Sequence, residues 1–270
     1  MIKDFFSQPE GLQSLSGEVT ILHSVDSTQI FAASLAREGT SDGASVVAEI
    51  QTKARGRFGH DWYSPSGGLW VSVILKPSSA PARLPLLSIA GACAVCEAIE
   101  DVTKLDSVGI KWPNDVVIRG RKIGGVILEA SFKSRKLEYA ILGAGINVNI
   151  PTTSFPSELR ESATSLCILT GRNYPLSPLF NSFRRSLDKL YLKYTNKQDQ
   201  AIQQVIQTRI LGIGSRVKMR LSGKTTSGLV KGIDVDAGLV IENDQNKILT
   251  IYDRDVESLT FLGDRDKASN

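Results

Sequence analysis

The chain has 270 residues, 41% hydrophobic and 22% charged; this excludes a wholly disordered protein and allows one large domain with a small satellite, or two medium domains. Its 32 basic and 28 acidic residues leave a formal net charge of +4, which suits an anionic small ligand but is too little to imply a nucleic-acid surface by itself. Three cysteines, an odd and low number, do not make a disulfide framework.

Asp4 stands near the N-terminus, which has no sustained apolar core and does not read as a signal peptide. The apolar stretch 84–96, interrupted by Pro85 and Ser88, falls short of the roughly 20 residues that a membrane span needs, so the expected location is the cytoplasm.

Residues 1–18 are mixed in character and lead into a strand at 19–23. Ser27 and Thr28 then offer an N-cap for a helix through Arg37. After a turn at 39–43, β-branched and aromatic residues predict strands at 45–50 and 69–75. Residues 86–100 read as a buried helix. Within it Cys93 and Cys96 match C-x-x-C; small neighbours, and the lack of a second Cys/His pair at zinc-like spacing, favour two buried thiols over a redox or metal pair. Strands follow at 108–112, 116–118, 122–132 and 137–150, with turns at Pro113-Asn114 and 119–121. Leu179, Phe180, Phe183, Leu187, Leu190, Tyr191 and Tyr194 recur at helical spacing in 178–194. From Ile210 the texture changes to short strands at 217–221, 227–233, 239–242 and 247–252, separated by turn residues. The reading is a domain of residues 1–208 and a small β domain of 209–270, with 263–270 a frayed polar tail.

The loop Gln51-Thr-Lys-Ala-Arg-Gly-Arg-Phe-Gly-His-Asp-Trp62 carries the most chemistry. Glycine lets backbone approach a ligand, arginine offers a fork of donors for phosphate or carboxylate, and Trp62 a flat face for a base. It has neither the phosphate-loop nor the dinucleotide fingerprint. Read alone, it fits a solvated basic turn or an anion-binding lid. Lys111, ending an apolar strand before Trp112-Pro113-Asn114-Asp115, is either snorkelling to water or held against an anion. Gly124 and Gly125 inside a strand mark a bulge or a close ligand approach, and Asn147 and Asn149, two apart, suggest a polar network near a pocket.

Ser27-Thr-Gln29, the 51–62 loop, Lys111-Trp-Pro-Asn-Asp115, Lys122-Ile-Gly-Gly125 and Gly143-Ala-Gly-Ile-Asn-Val-Asn149 occur in the order found in biotin–protein ligases, and over 19–262 the chain resembles that family. The resemblance implies an α+β fold: a mixed β-sheet with flanking helices, the class II synthetase-like catalytic domain of biotin/lipoate ligases, plus a small C-terminal SH3-like β-barrel. It implies ATP and biotin as substrates, magnesium as helper, and biotinyl-5'-AMP formation followed by transfer to a lysine of a biotin carboxyl carrier protein. Ser27, Thr28, Gln29 and Gln51 would bind biotin; Arg55, Gly56 and Arg57 would close over biotin and the α-phosphate; Trp62 would stack on adenine, with Asn114 and Asn147 at the adenylate end. Lys111 and Arg57 would be catalytic, and no residue is assigned to a metal. The family usually has glycine at Ala54, arginine at His60 and asparagine at Gln29; these departures put the part of His60 in holding phosphate in doubt. Few residues precede the first strand, so no DNA-binding domain is expected, and a homodimer is possible. The rival readings are a lipoate–protein ligase, a biotin sensor without turnover, and a nucleic-acid protein, the last weakened by scarce aromatics on the barrel strands.

Overall fold

The computed structural model describes residues 6, 9–78, 81–221 and 223–262, and every structural statement refers to these. The frayed tail expected at 263–270 lies outside them.

Seven strands form the main sheet: β1 (Val19–Val25), β2 (Ser45–Gln51), β3 (Leu69–Leu75), β4 (Gly109–Lys111), β5 (Asp115–Ile118), β6 (Arg121–Lys133) and β7 (Lys136–Ile146). Their order is β1-β2-β3-β7-β6-β5-β4. β1 and β2 run parallel, joined by the crossover helix α1 (Thr28–Arg37); the remaining pairs are antiparallel. Ser134 and Arg135, with φ of 49° and 67°, make the tight left-handed turn that joins β6 to β7.

Side chains alternate across the strands, so the sheet has two faces to cover. Ala32 and Ala36 let α1 approach one face, against Val46, Ile74 and Ile141. The other face carries the main core beneath α2 (Leu84–Thr103) and α4 (Leu176–Thr195), with α5 (Asp199–Arg209) against α2. A short α3 (Leu166–Thr170) follows the loop after β7.

Two expectations about α2 sharpen. The helical stretch Pro81–Thr103 is, by length and composition, long and apolar enough to cross a bilayer, yet 67% of its most apolar window is buried inside the protein, as in a core helix. Cys93 and Cys96 are fully buried, and burial pushes Cys96 up to about 12 and Cys93 well above the usual thiol value. Thiols held protonated make poor nucleophiles and metal ligands, in line with two packed small residues.

The second sheet contains β8 (Arg216–Leu221), β9 (Lys224–Ile233), β10 (Leu239–Asn243), β11 (Ile248–Ile251) and β12 (Val256–Leu262), antiparallel in the order β11-β10-β9-β8-β12, a small barrel-like unit. β12 is absent from the predicted strands because a register shift between Val256 and Ser258 breaks its apolar alternation. α5 was missed because its buried apolar residues are only Ile202 and Ile206 among polar ones. The sheets share one core, and Trp112 Nε1 donates to Ala237 O at 3.0 Å across the junction.

β7 ends at Ile146 rather than at 150. Asn147 Nδ2 donates to Thr164 O at 3.0 Å, while Asn149 bonds both backbone groups of Tyr174. These asparagines therefore pin the loop that follows the sheet. Asn147, expected at the adenylate end, turns its Nδ2 to that loop and is not among the residues that line the cavity described next.

Candidate active site

A cavity of about 280 Å³ opens on the α1 face of the sheet, at the N-terminus of α1. A helix start is electropositive, with unpaired N–H groups. β6 and β7 form a floor of small residues: Gly125 and Gly145 are cross-strand partners, and Gly143 follows on the same face. A Cβ on Gly145 would lie 2.8 Å from Trp62 Nε1, one on Gly125 3.4 Å from the Trp62 ring, and one on Gly143 2.6 Å from Gln29 Oε1. Each glycine thus makes room for a side chain of the site. The buried Trp62 Nε1 has no hydrogen-bond partner among the described residues, an unspent donor at the cavity wall.

The inner end of the cavity is polar. Gln51 Oε1 accepts from Thr28 N at 2.8 Å and lies 3.0 Å from Thr28 Oγ1, while Gln51 Nε2 donates to Ser64 Oγ at 3.0 Å. Thr28 Oγ1 is 2.8 Å from Ser72 Oγ, and Ser72 Oγ donates to Gln29 Oε1 at 3.0 Å. Ser27, buried at the N-cap, accepts no helix N–H.

The loop after β2 roofs the cavity. It doubles back through an Arg55–Asp61 bridge, with Gly56 N donating to His60 O at 2.7 Å and the turn made by Phe58 and Gly59 at φ of 55° and 77°. Ala54 is buried and is not among the residues with positive φ, so alanine adds no backbone strain there. Arg55 and His60 are exposed at the rim. Arg57 reaches inward: its Nη1 donates to Asn114 Oδ1 at 3.2 Å, and its Nη2 pairs with Asp253 of the second sheet. Burial, outweighing the attraction of Arg57, holds the Asp253 carboxyl above the usual range.

Ser27, Thr28, Gln29, Gln51, Arg55, Gly56, Arg57, Trp62 and Asn114 all line this one cavity. Lys111 does not: it is exposed at the end of β4. The lysine on the cavity wall is Lys122, whose Nζ sits 2.6 Å from Asp115 Oδ1 and 4.8 Å from the Trp62 ring centroid. Lys122, and not Lys111, thus brings its amine to this cavity. The physical reason is a bulge. Val116 pairs with Gly124 but Val117 pairs with Lys122, so β6 carries an extra residue, Ile123, that turns Lys122 to the face of Gly125.

Residues 21–147 match the Biotin/lipoate A/B protein ligase family. The bifunctional ligase/repressor BirA of Bacillus subtilis is 34% identical over 243 residues, covering 89% of this chain and 74% of that protein. This chain belongs to the biotin/lipoate A/B protein ligase family. The biotin–[acetyl-CoA-carboxylase] ligase of Mycobacterium tuberculosis is 30% identical over 206 residues, 74% of each chain. The solved biotin protein ligase from Aquifex aeolicus in complex with biotin and ATP matches with a TM-score of 0.79 at 30% identity, covering 91% of this chain and 99% of that one.

Beyond Lys122, residue-by-residue reading missed Ser72, Asp115 and Asp253. Ser72 is one polar residue in the apolar run 69–75, a signal visible in hindsight as a buried hydroxyl needing partners. Asp115 was quoted in a motif without a role. Asp253 lies far away in sequence and carries no local signal.

Proposed function

We propose that the chain is an ATP-dependent biotin–protein ligase that joins the biotin carboxylate to the α-phosphate of ATP, releasing pyrophosphate, and passes biotin from biotinyl-5'-AMP to a lysine of a biotin carboxyl carrier protein. The observation that carries this reading is the closed polar end of the cavity. Thr28, Gln51 and Ser27 present acceptors and an uncommitted hydroxyl there, which suits a cyclic urea, a carbonyl flanked by N–H groups. The dithiolane of lipoate has no N–H to offer and would leave these acceptors without a ligand partner.

Two anions must meet in the first half-reaction, so the site must supply positive charge where negative charge develops. Lys122 is the amine on the cavity wall, and Arg55 and Arg57 are the loop guanidiniums over it. Asp115 holds Lys122 and Asn114 holds Arg57, so both cations are oriented before substrates arrive. Trp62 offers its face to adenine, and the roof shields the mixed anhydride from water. In the second half-reaction the carrier lysine attacks the acyl carbon and AMP leaves, its charge met by the same cations.

Magnesium is part of the proposal. It takes oxygen ligands, commonly one or two carboxylates with phosphates, and neutralises phosphate charge when bound. Among the described residues no cluster of three or more His, Cys, Asp or Glu could hold a metal, and the cavity carboxylates are Asp61 and Asp115. These fit an ion that arrives with the nucleotide.

The test is pyrophosphate release with ATP, magnesium and either biotin or lipoate, followed by mass analysis of a biotin carboxyl carrier domain. Pyrophosphate with biotin and a single added biotinyl group are expected. Release with lipoate alone would make the chain a lipoate ligase, and release with neither would leave a binding protein.

A further inference from the structure

At the polar end of the cavity lies a hydrogen-bonded chain whose proton count does not balance. Its amide orientations are set by backbone groups. Ile141 O can only accept, so Gln29 turns its NH2 there, at 2.9 Å, and aims Oε1 at Ser72 Oγ, 3.0 Å away. Thr28 N can only donate, so Gln51 aims Oε1 at it and turns its NH2 to Ser64. The chain therefore runs Gln29 Oε1, Ser72 Oγ, Thr28 Oγ1, Gln51 Oε1, with an acceptor at each end. Its three oxygen–oxygen contacts measure 3.0, 2.8 and 3.0 Å. The hydroxyls of Ser72 and Thr28 supply only one proton each, so one contact always lacks a proton. Gln29, Ser72 and Thr28 are 8%, 0% and 3% exposed, and Gln51 is half-buried, so the shortfall can be met only from the cavity that they line.

We propose that this donor deficit is a specificity device: Gln29 and Ser72 force Thr28 and Gln51 to act toward the ligand as acceptors, and so select a ligand that brings N–H groups. The proposal rests on the reading of the cavity as a biotin site. Once Gln29 Oε1 has taken the Ser72 proton, Ser72 can only accept from Thr28. Whichever way Thr28 turns its proton, that proton is spent inside the protein. An N–H from a cyclic urea relieves the unprotonated contact. A ring oxygen at the same place adds a further acceptor to a site already short of donors. Gly143 belongs to the device, because a Cβ there would lie 2.6 Å from Gln29 Oε1 and displace the terminal acceptor.

The experiment compares biotin with its cyclic carbamate analogues, in each of which one ureido N–H is replaced by a ring oxygen. Dissociation constants come from calorimetry, and KM and kcat from pyrophosphate release, for the wild type, Gln29→Met and Gln29→Glu. Methionine fills similar space without an acceptor; the two remaining contacts are then matched by two protons and the deficit vanishes. The wild type should favour biotin over at least one carbamate by roughly tenfold or more, and Gln29→Met should cut that ratio about tenfold, through KM and with the KM for ATP unchanged. Gln29→Glu, followed as pH is lowered from 7 to 4.5, should recover the wild-type ratio as its carboxyl takes up a proton, since a protonated carboxyl can donate to Ile141 O and accept from Ser72. An unchanged ratio in Gln29→Met, an equal loss of both ligands, or a ratio in Gln29→Glu that stays at the Gln29→Met level down to pH 4.5 would overturn the proposal. Failure of the wild type to bind biotin would instead overturn the ligase reading.

Discussion

Lys111 and Lys122 show what one residue's surroundings decide. Both stand beside strand ends in motifs shared with the family, yet one amine faces solvent and the other the cavity. Lys122→Ala should lower biotin-dependent pyrophosphate release by about 10²-fold or more while leaving the fold intact, because it removes a fixed positive charge from the place where two anions meet. Lys111→Ala should keep most of the rate. The reverse result would return the catalytic assignment to Lys111. Nine of the residues named from sequence reached the cavity because short motifs carry their own geometry: Ser27, Thr28 and Gln29 sit at a helix start, and Arg55 to Trp62 in one loop. Lys122 could not be picked out from sequence because the parity of β6 depends on a bulge that no local pattern announces.

Among the elements, α4 does more than its apolar stripe suggests. Its buried Asp188 accepts from the backbone N–H groups of Gln13, Ser14 and Leu15 at 2.7–2.8 Å. Buried Arg184, on the same helix, bonds Gly43 O, Leu15 O and Ser45 Oγ; desolvation holds its guanidinium down at about 10, with Asp188 and Asp42 opposing. Asp188→Ala should cost about 2–4 kcal/mol in urea unfolding, since it orphans three N–H groups and removes a charge near Arg184. A loss under about 0.5 kcal/mol, the usual size of a surface change, would show that this polar lock is dispensable. In α2 the buried, protonated Cys93 and Cys96 should resist a thiol reagent in the native protein, leaving the half-buried Cys167 as the single fast-reacting thiol, whereas all three react in denaturant. Periodicity located α2 and α4, but it could not show that α4 carries a charged pair on its inner face, since Arg184 and Asp188 gain partners only through the chain near Leu15 and Gly43.

For the whole molecule, the contact between Arg57 and Asp253 matters most. It ties the cavity roof to the second sheet, where the resemblance had left the small domain without a role. The Asp253 carboxyl is held above its ordinary value, chiefly by burial. A carboxyl with a raised folded pKa binds more protons in the folded state than in the unfolded one, so its contribution to stability is fully present below the unfolded value near 3.8 and is lost as pH rises through the folded value. Relative to Asp253→Asn, which does not titrate, the wild type should therefore gain stability as pH falls from 7 towards 4, read from urea midpoints at the two pH values. A difference that stays constant, or grows with pH, would contradict the burial seen here. Because protonation also weakens the hold on Arg57, the ratio of the KM for ATP in the wild type to that in Asp253→Asn, which cancels the titration of ATP itself, should change over the same window.

Composition, period and motif order were enough to determine the α+β class, the mixed sheet, the turn-rich second unit and most of the residues around the cavity, because each rests on neighbours close in sequence. What needed the tertiary structure were the pairings between distant segments: Gln29 with Ile141 and Ser72, Arg57 with Asp253, Asp188 with the segment before β1, and the bulge that turns Lys122 inward. The loop around Arg55 and Arg57 could be read as basic and flexible, but its meaning depended on what it covers. A side chain's partner across the fold is set by strand register and by how the two sheets pack, and neither leaves a trace in a short window of sequence.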